Sequence, residues 1–369
     1  VNRSVLIFSG NNQRAVFSFC RFAIQEGIPF DIVANGSLDT IFQSSYSNRV
    51  VALREKNKLD LVELLQFCEL AKEKQKVNEI IILPSTEYLN RFLLKYKLVL
   101  EEKGIQTGLC NESTYSVVSD KFSFSELCKS REIPVPREYS DLPRNYPFVV
   151  KPKEYGKGLS KVHEKPFLIF SKHNLEKIEK LENLSDYYFQ DYIQGPSYYL
   201  LYYFSKTGEV FSYSQENLIQ QDEGASMILA RSSNIHKKSI SDQFVKLFKE
   251  IGFYGLVMVE VKFDGENFVM IEANPRFWGP SQLILDSGMM LFDAFSYDYS
   301  LKSVLKKRQY EEGVYYFWSG GIIENFKAGK QPKFYNYEPS KFYSDYQSLI
   351  KHEVHLKKDT ITIYFDEVS

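Results

Sequence analysis

Between Val257 and Arg276 the chain reads VMVEVKFDGENFVMIEANPR, with its chemistry-bearing side chains on alternate positions. Val257, Val259, Val261, Phe263, Val269, Ile271 and Ala273 are apolar, and Glu260, Lys262, Glu272, Asn274 and Arg276 fall between them. A period of two predicts strands with one buried and one polar face. Asp264-Gly265 is a turn signal, and a loop of about three residues centred on Glu266 sets Glu260 opposite Glu272 on the neighbouring strand. Carboxylates so placed repel each other, so a cation is expected between them. Hard divalent ions take oxygen ligands of this kind, with Asn274 as a third ligand and phosphate oxygens completing the shell. Pro275 ends the ladder and stiffens the exit from which Asn274 and Arg276 project. From these residues alone, a hairpin whose polar face is merely solvated is the alternative.

The order Glu260, eleven residues, then Glu272-x-Asn274-x-Arg276 resembles the metal-binding signature of the ATP-grasp superfamily. NPRFWG (Asn274 to Gly279) is similar to the version in carbamoyl-phosphate-synthase-like and related carboxylate-amine ligase members. The resemblance implies Glu260, Glu272 and Asn274 as metal ligands and several further parts in a fixed order. SDKFSFSELCKSREIPVP (Ser119 to Pro136) resembles the opening helix, in which Lys121 reaches the nucleotide phosphates, and Glu132 stands where glycine is common. In PFVVKPKEYGKGLSKV (Pro147 to Val162), a strand Phe148 to Val150 ends in Lys151 and leads to a loop with Gly156, Gly158, Ser160 and Lys161. Glycine N–H groups and lysine ammoniums suit phosphate oxygens there.

YYFQDYIQGPSYYLLYYF (Tyr187 to Phe204) reads as strand, Gly-Pro break, strand, and resembles the hinge along which adenine binds. By that match Gln190 takes the place of a common glutamate facing the adenine amino group, and its amide keeps a carbonyl acceptor. Asp191, Tyr192 and Ile193 supply backbone hydrogen bonds. Ser197, Tyr198 and Tyr199 stand where many members carry a glutamate, so the ribose contacts depart from the pattern. Tyr202, Tyr203 and Phe204 read as sheet core. QQDEGASMILARSSN (Gln220 to Asn234) is similar to the large loop that closes over the active site and excludes water. Arg231 on it is expected either to meet the substrate carboxylate or transferred phosphoryl group, or to be a solvated loop arginine. A helix follows over residues 239 to 252, with Phe244, Leu247, Phe248 and Ile251 on one face.

The elements that must position these residues begin with an α/β unit. SVLIFSG (Ser4 to Gly10) and PFDIVAN (Pro29 to Asn35) read as strands around a helix bearing Phe17, Phe19, Phe22 and Ala23, and Ile80 to Leu83 repeats the pattern. Such alternation implies a parallel sheet with ligands at its carboxyl edge. Asn11, Asn12, Ser85, Thr86 and Glu87 there either face an acceptor substrate or cap helices. The expected fold is therefore mixed α/β and α+β in several domains. An N-terminal parallel α/β (pre-ATP-grasp) domain covers residues 1–118. The ATP-grasp domain follows at 119–305, its small lobe about 121–187 and large lobe about 188–305 clasping the nucleotide. A C-terminal extension covers 306–369 and includes an alternating strand from Thr360 to Phe365. His352 and His355 have no third ligand nearby in sequence and read as ordinary residues.

A chain of 369 residues exceeds what one core serves. A net charge of -1 argues against a nucleic-acid binder. Four scattered cysteines without a CxxC pair suggest reduced thiols, and with no long apolar run or signal pattern the expectation is a soluble cytoplasmic protein away from membranes. The resemblance implies ATP and Mg²⁺, with Mn²⁺ as a substitute, and small-molecule partners: a carboxylic acid that forms an acyl phosphate and an amine that displaces phosphate, releasing ADP. Carboxylation, a kinase-like transfer and a catalytically inactive ATP-binding protein are the alternatives, and a homo-oligomer is left open. Phosphoryl transfer depends on alignment and charge neutralisation rather than on a protein nucleophile, so no Ser/His/Asp or Cys/His set is required.

Overall fold

The structure is a computed structural model and describes residues 2–55, 59–153, 166–179, 181 and 183–369. Among these, three sheets form. The first is parallel, with strands β1 (Arg3–Phe8), β2 (Phe30–Asn35), β3 (Val50–Arg54), β4 (Glu79–Ile82) and β5 (Ile105–Gln106) in the order β3-β2-β1-β4-β5. Helices Gln13–Glu26 and Leu61–Gln75 follow β1 and β3. The second of these starts at Asp60, whose carboxylate accepts from the N–H groups of Val62 and Glu63 and so satisfies two donors of the first turn.

A four-stranded antiparallel sheet holds β6 (Glu138–Tyr139), β7 (Phe148–Pro152), β8 (Phe167–Ile169) and β9 (Tyr187–Asp191) in the order β6-β9-β7-β8. Its outer face buries Phe148, Val150, Ile169 and Phe189 with Ile178. The large antiparallel sheet contains β10 (Ser197–Phe204), β11 (Val210–Gln220), β12 (Met227–Ser233), β13 (Gly255–Phe263), β14 (Phe268–Asn274) and β15 (Tyr315–Phe317), ordered β14-β13-β10-β11-β12-β15, with β16 (Lys333–Phe334) also on β11.

The large sheet is covered on both sides, which is why β13 reads as almost wholly buried rather than half-exposed. On one side Leu200, Tyr202, Val257 and Val259 pack with Phe124 and with Phe244 and Phe248 of helix Ser239–Glu250. On the other, Leu201, Tyr203 and Met258 pack with Phe17, Phe19 and Phe22 of the first helix and with Phe277, Phe292 and Phe295. Both cores run on into the faces of the parallel sheet, so the N-terminal unit is seated on the large sheet through shared apolar contacts.

Two segments differ from expectation. Residues Ile361–Val368 form a helix, not a strand from Thr360 to Phe365. Thr360 turns back on Lys357, and the helix packs against helix Ser319–Lys327, so tertiary contact overrides the β-branched composition. The C-terminal residues are also no separate appendage, because β15 and β16 extend the large sheet. The four cysteines are buried and unpaired, with burial pushing the Cys68, Cys110 and Cys128 thiols up to about 12. No helix among the described residues is long and apolar enough to cross a membrane.

Candidate active site

The β13–β14 hairpin pairs Glu260 directly with Glu272, and Met258 with Asn274. It reaches that register by a different route from the one the turn signal suggests. Phe263 pairs with Phe268, so the loop has four residues (264–267), and a bulge at Ile271 restores the offset. The extra residue also reverses the alternation, so that Met270 joins Ala273 in the core and Ile271 lines a cavity. Its carbonyl accepts a hydrogen bond of 2.9 Å from Lys151 Nζ.

That cavity, about 560 Å³, lies between the hairpin face of the large sheet and the inner face of the four-stranded sheet. Lys121, Lys151, Gln190, Asp191, Tyr192, Ile193, Glu260, Glu272, Asn274 and Arg276 all line it. Lys121 opens helix Lys121–Lys129, and its Nζ stands 3.6 Å from Glu272 Oε2. Asn274 donates to Glu272 Oε1 at 2.9 Å and accepts from Arg276 at 3.0 Å. Glu260 accepts from Ser197 Oγ, itself held by Asn217.

The two carboxylates are electrostatically unequal. Burial raises the Glu260 carboxyl above the usual range, and Glu272 adds to the rise while Lys262 opposes it. Burial also works against ionisation of Glu272, but Lys121, the Asn274 amide, Lys151 and Arg276 outweigh it and hold that carboxyl low. Burial brings the Lys151 ammonium down to about 8, against the pull of Glu272. Oxygen donors of Glu260, Glu272 and Asn274 on one sheet face, with one carboxylate left under strain from burial and from its neighbour, fit a hard divalent cation.

On the same face of the four-stranded sheet as Lys151, Gln190 is 1% exposed. Its Nε2 faces Glu138 Oε1 at 3.1 Å and Ser125 Oγ at 3.4 Å, and the Oε1 atom is buried without a partner. Glu138 is an acceptor tied to Lys129 at 2.5 Å, so the amide must turn its NH₂ that way and leave its carbonyl free. The Asp191 N–H is occupied by the Arg137 carbonyl, and its carboxylate accepts from the Tyr139 hydroxyl. Of the three hinge residues, Asp191 is thus engaged within the sheet.

With this geometry established, comparison with known proteins is decisive for the domain: the family model described as an ATP-grasp domain matches residues 118–280. The chain carries an ATP-grasp domain. Its fold is that of solved structures at low identity. Biotin carboxylase from Campylobacter jejuni superposes with a TM-score of 0.60 at 14% identity, over 83% of this chain and 73% of that one. N5-carboxyaminoimidazole ribonucleotide synthetase from Thermus thermophilus gives 0.58 at 15%, over 83% and 81%. Pyruvate carboxylase from Rhizobium etli gives 0.61 at 14%, over 85% of this chain and 30% of that one. No curated protein matches the chain.

Within the ATP-grasp domain, the segment Gln220 to Asn234 is not a long loop. It is the end of β11, one short turn at Asp222–Gly224, and β12. Its tip, Gln220, Asp222, Gly224 and Ala225, does line the cavity. Arg231 does not. Cross-strand partners share a face, and Glu260, Tyr199, Gln215 and Ser232 form one row while Tyr198, Glu216 and Arg231 form the next. Arg231 therefore projects from the opposite face of the sheet, where it is paired with the buried Glu216 at 2.6 Å. Neither expectation for it, substrate contact or free loop arginine, describes this position. Gly156, Gly158, Ser160 and Lys161 lie outside the described residues.

Ser197 and Tyr199, at the departure from the ribose pattern, are buried in the sheet, and Tyr202, Tyr203 and Phe204 are core as expected. Glu132 adopts a φ of 57°, the left-handed backbone that explains why glycine is common there. At the N-terminal edge the capping reading prevails for Thr86, whose Oγ1 accepts from Leu89 N–H. Ser85 donates to the Phe8 carbonyl, and Asn12 donates to the carbonyls of Ser85 and Phe277, tying the parallel sheet to the loop after Arg276. Glu87 reaches the cavity wall but is bonded to Arg91, Tyr115 and Ser119. His355 is buried edge-on against Phe17.

Three polar cavity residues were given no role by the sequence motifs. Lys262 sits on the same strand face as Glu260, and the period of two displays it without indicating a use. Lys333 and Tyr335 come from beyond the matched residues, and no local signal brings them to the site.

Proposed function

We propose that this protein is an ADP-forming ligase that joins a small-molecule carboxylic acid to an amine through an acyl phosphate. The observation that carries the reading is the directly opposed Glu260 and Glu272, lining one cavity with Lys121, Lys151, Asn274 and Arg276 and with Gln190, whose carbonyl has no partner. A buried acceptor without a partner is costly, and the 6-amino group of adenine supplies the donor it lacks. Guanine offers a carbonyl at that position and does not. Backbone groups of Tyr192 and Ile193, beyond the last residue of β9, complete the base contacts.

Glu260, Glu272 and Asn274 would hold Mg²⁺, or Mn²⁺ in its place, and the metal would supply neutralisation of the phosphate charge and alignment of the transferred group. Lys121, from the helix packed on β14, and Lys151, from the four-stranded sheet, add positive charge to the phosphates. Arg276, on the exit stiffened by Pro275, faces the acid: its guanidinium binds carboxylate or phosphate in a fork that lysine does not copy. The carboxylate oxygen attacks the γ-phosphorus, ADP leaves, and the amine then displaces phosphate from the acyl carbon. Exclusion of water from the filled cavity would protect the acyl phosphate.

A second reading is ATP-dependent carboxylation, favoured by the names of two similar folds, a biotin carboxylase and a carboxyaminoimidazole ribonucleotide synthetase. Both readings begin with ATP and a carboxylate. A screen of carboxylic acids and bicarbonate, each with amines, for acceptor-dependent ADP release with mass analysis of the product separates them. ADP release that needs an organic acid and yields an amide supports ligation, whereas release that needs bicarbonate supports carboxylation. Absence of any acceptor-dependent release leaves an inactive nucleotide-binding protein.

A further inference from the structure

Two lysines in the cavity are not accounted for by the metal carboxylates or the hinge. Lys262 is only 8% exposed, lines the cavity, and meets two aromatic faces, Tyr192 at 5.4 Å and Tyr335 at 5.6 Å. No hydrogen-bond acceptor or carboxylate pairs with its ammonium among the described residues. Lys333, from β16, stands over the same two rings at 4.7 and 5.0 Å and donates to the Tyr192 hydroxyl. Tyr335 is anchored by its hydroxyl to Gln220 Oε1 at 2.5 Å. Two ammoniums thus share one pair of rings, and the cation–π contacts are set against burial of both charges and their mutual repulsion. Glu260 is the carboxylate whose charge acts on both, without an ion pair to either among the described residues, and a metal on Glu260 would claim that charge. An anion from a ligand is what the pair lacks.

Position along the strand says which anion. Lys262 follows Glu260 by two residues on the same face of β13, about 7 Å further from Asn274 and Arg276. Tyr192 belongs to the hinge itself, so Lys262, with Tyr335 beside it, marks the hinge side of the carboxylates. A nucleotide with its base at Gln190 and its terminal phosphates at Glu260 and Glu272 has only its ribose and α-phosphate in that interval. We propose that Lys262 and Lys333 bind the α-phosphate of the nucleotide, so that the C-terminal segment, beyond the residues matched to the ATP-grasp domain, completes the binding site. This rests on the reading of the cavity as an ATP site. The segment adds Lys333 and Tyr335 to the cavity wall by pairing β16 with β11, which places Lys333 beside Gln220.

Metal-free titrations of the full chain with AMP and with adenosine test it, since the two ligands differ by the one phosphate. Lys333→Gln should weaken AMP by about tenfold or more, the loss of one charge-assisted hydrogen bond, and leave adenosine within about twofold. Lys333→Arg, which keeps a cation beside Tyr192, should retain most of the AMP affinity. Lys262→Met provides the same comparison from the other strand, should Lys333→Gln melt early. Equal losses of AMP and adenosine would mean that Lys333 merely props Tyr192, and unchanged AMP affinity would mean that it makes no contact; either overturns the proposal. Wild-type protein that binds neither AMP nor ATP would instead remove the ATP reading of the cavity, and this inference with it.

Discussion

Replacing each carboxylate of the hairpin by its amide should move ligand-free stability in opposite directions. Glu260 and Glu272 are direct cross-strand partners, whose Cβ atoms stand about 5 Å apart. At an effective dielectric of about 20, two unit charges at that distance repel by roughly 3 kcal/mol. The surroundings do not share this cost equally, because Lys121, Asn274, Lys151 and Arg276 favour the Glu272 charge while burial and Glu272 disfavour that of Glu260. Glu260→Gln keeps an acceptor for Ser197 and removes the disfavoured charge. Allowing for the lost attraction of Lys262, it should stabilise the free protein by about 1–2 kcal/mol, a rise of a few degrees in melting temperature. Glu272→Gln should lower it by a similar amount. The sign with pH follows from the raised Glu260 pKa: the advantage of Glu260→Gln is present above that raised value. It shrinks as pH falls through it and vanishes below about 4.5, where the wild-type carboxyl is protonated both folded and unfolded. Melting curves of both variants with and without Mg²⁺ and ATP would measure all of this, and in both the gain from ligand should be largely lost. A Glu260→Gln protein that melts below wild type without ligand, or a Glu272→Gln protein that melts above it, would refute the reasoning.

Gln190→Leu removes the free carbonyl and should raise the ATP dissociation constant by about tenfold. It should also erase preference for ATP over ITP, so retained discrimination in competition titrations would count against the amide as the base reader. Lys151→Ala should weaken ATP binding markedly, whereas Arg276→Lys should bind ATP nearly as wild type and turn over on the order of a hundredfold more slowly. Calorimetry beside steady-state ADP release would show whether the two effects separate in that way. Away from the site, Glu26 is held at about 2 against the cost of burial by Lys302, Lys306 and Arg308. Its stabilisation is fully present above about 4.5 and is lost as pH falls toward about 2, so Glu26→Gln should destabilise by on the order of 2–3 kcal/mol near pH 7. The gap between the two melting temperatures should narrow between pH 5 and pH 3, and a constant gap would mean that Glu26 contributes packing rather than charge.

The sequence by itself determined the metal-site candidates, because their geometry is local. Alternation puts Glu260 and Glu272 on one face, Pro275 fixes the exit to Arg276, and Lys121 and Lys151 fall at the ends of elements whose periodicity is plain. Even there, the register was reached through a four-residue loop and a bulge at Ile271 that no turn signal announces, since a bulge answers to the contacts of the partner strands. What lies far apart in the chain was decided by tertiary structure. Arg231 looked like a loop arginine because polar residues surround it, but pairing of β11 with β12 set its parity and sent it to the reverse face with Glu216. The Gln190 carbonyl is free only because Glu138 and Ser125, from other elements, claim its amide nitrogen. Thr360 to Phe365 alternates like a strand and folds as a helix, because helix Ser319–Lys327 offers it a face to pack against. Lys333 and Tyr335 reach the cavity because β16 pairs with β11 across more than a hundred residues of chain, and side-chain spacing carries no record of a pairing that distant.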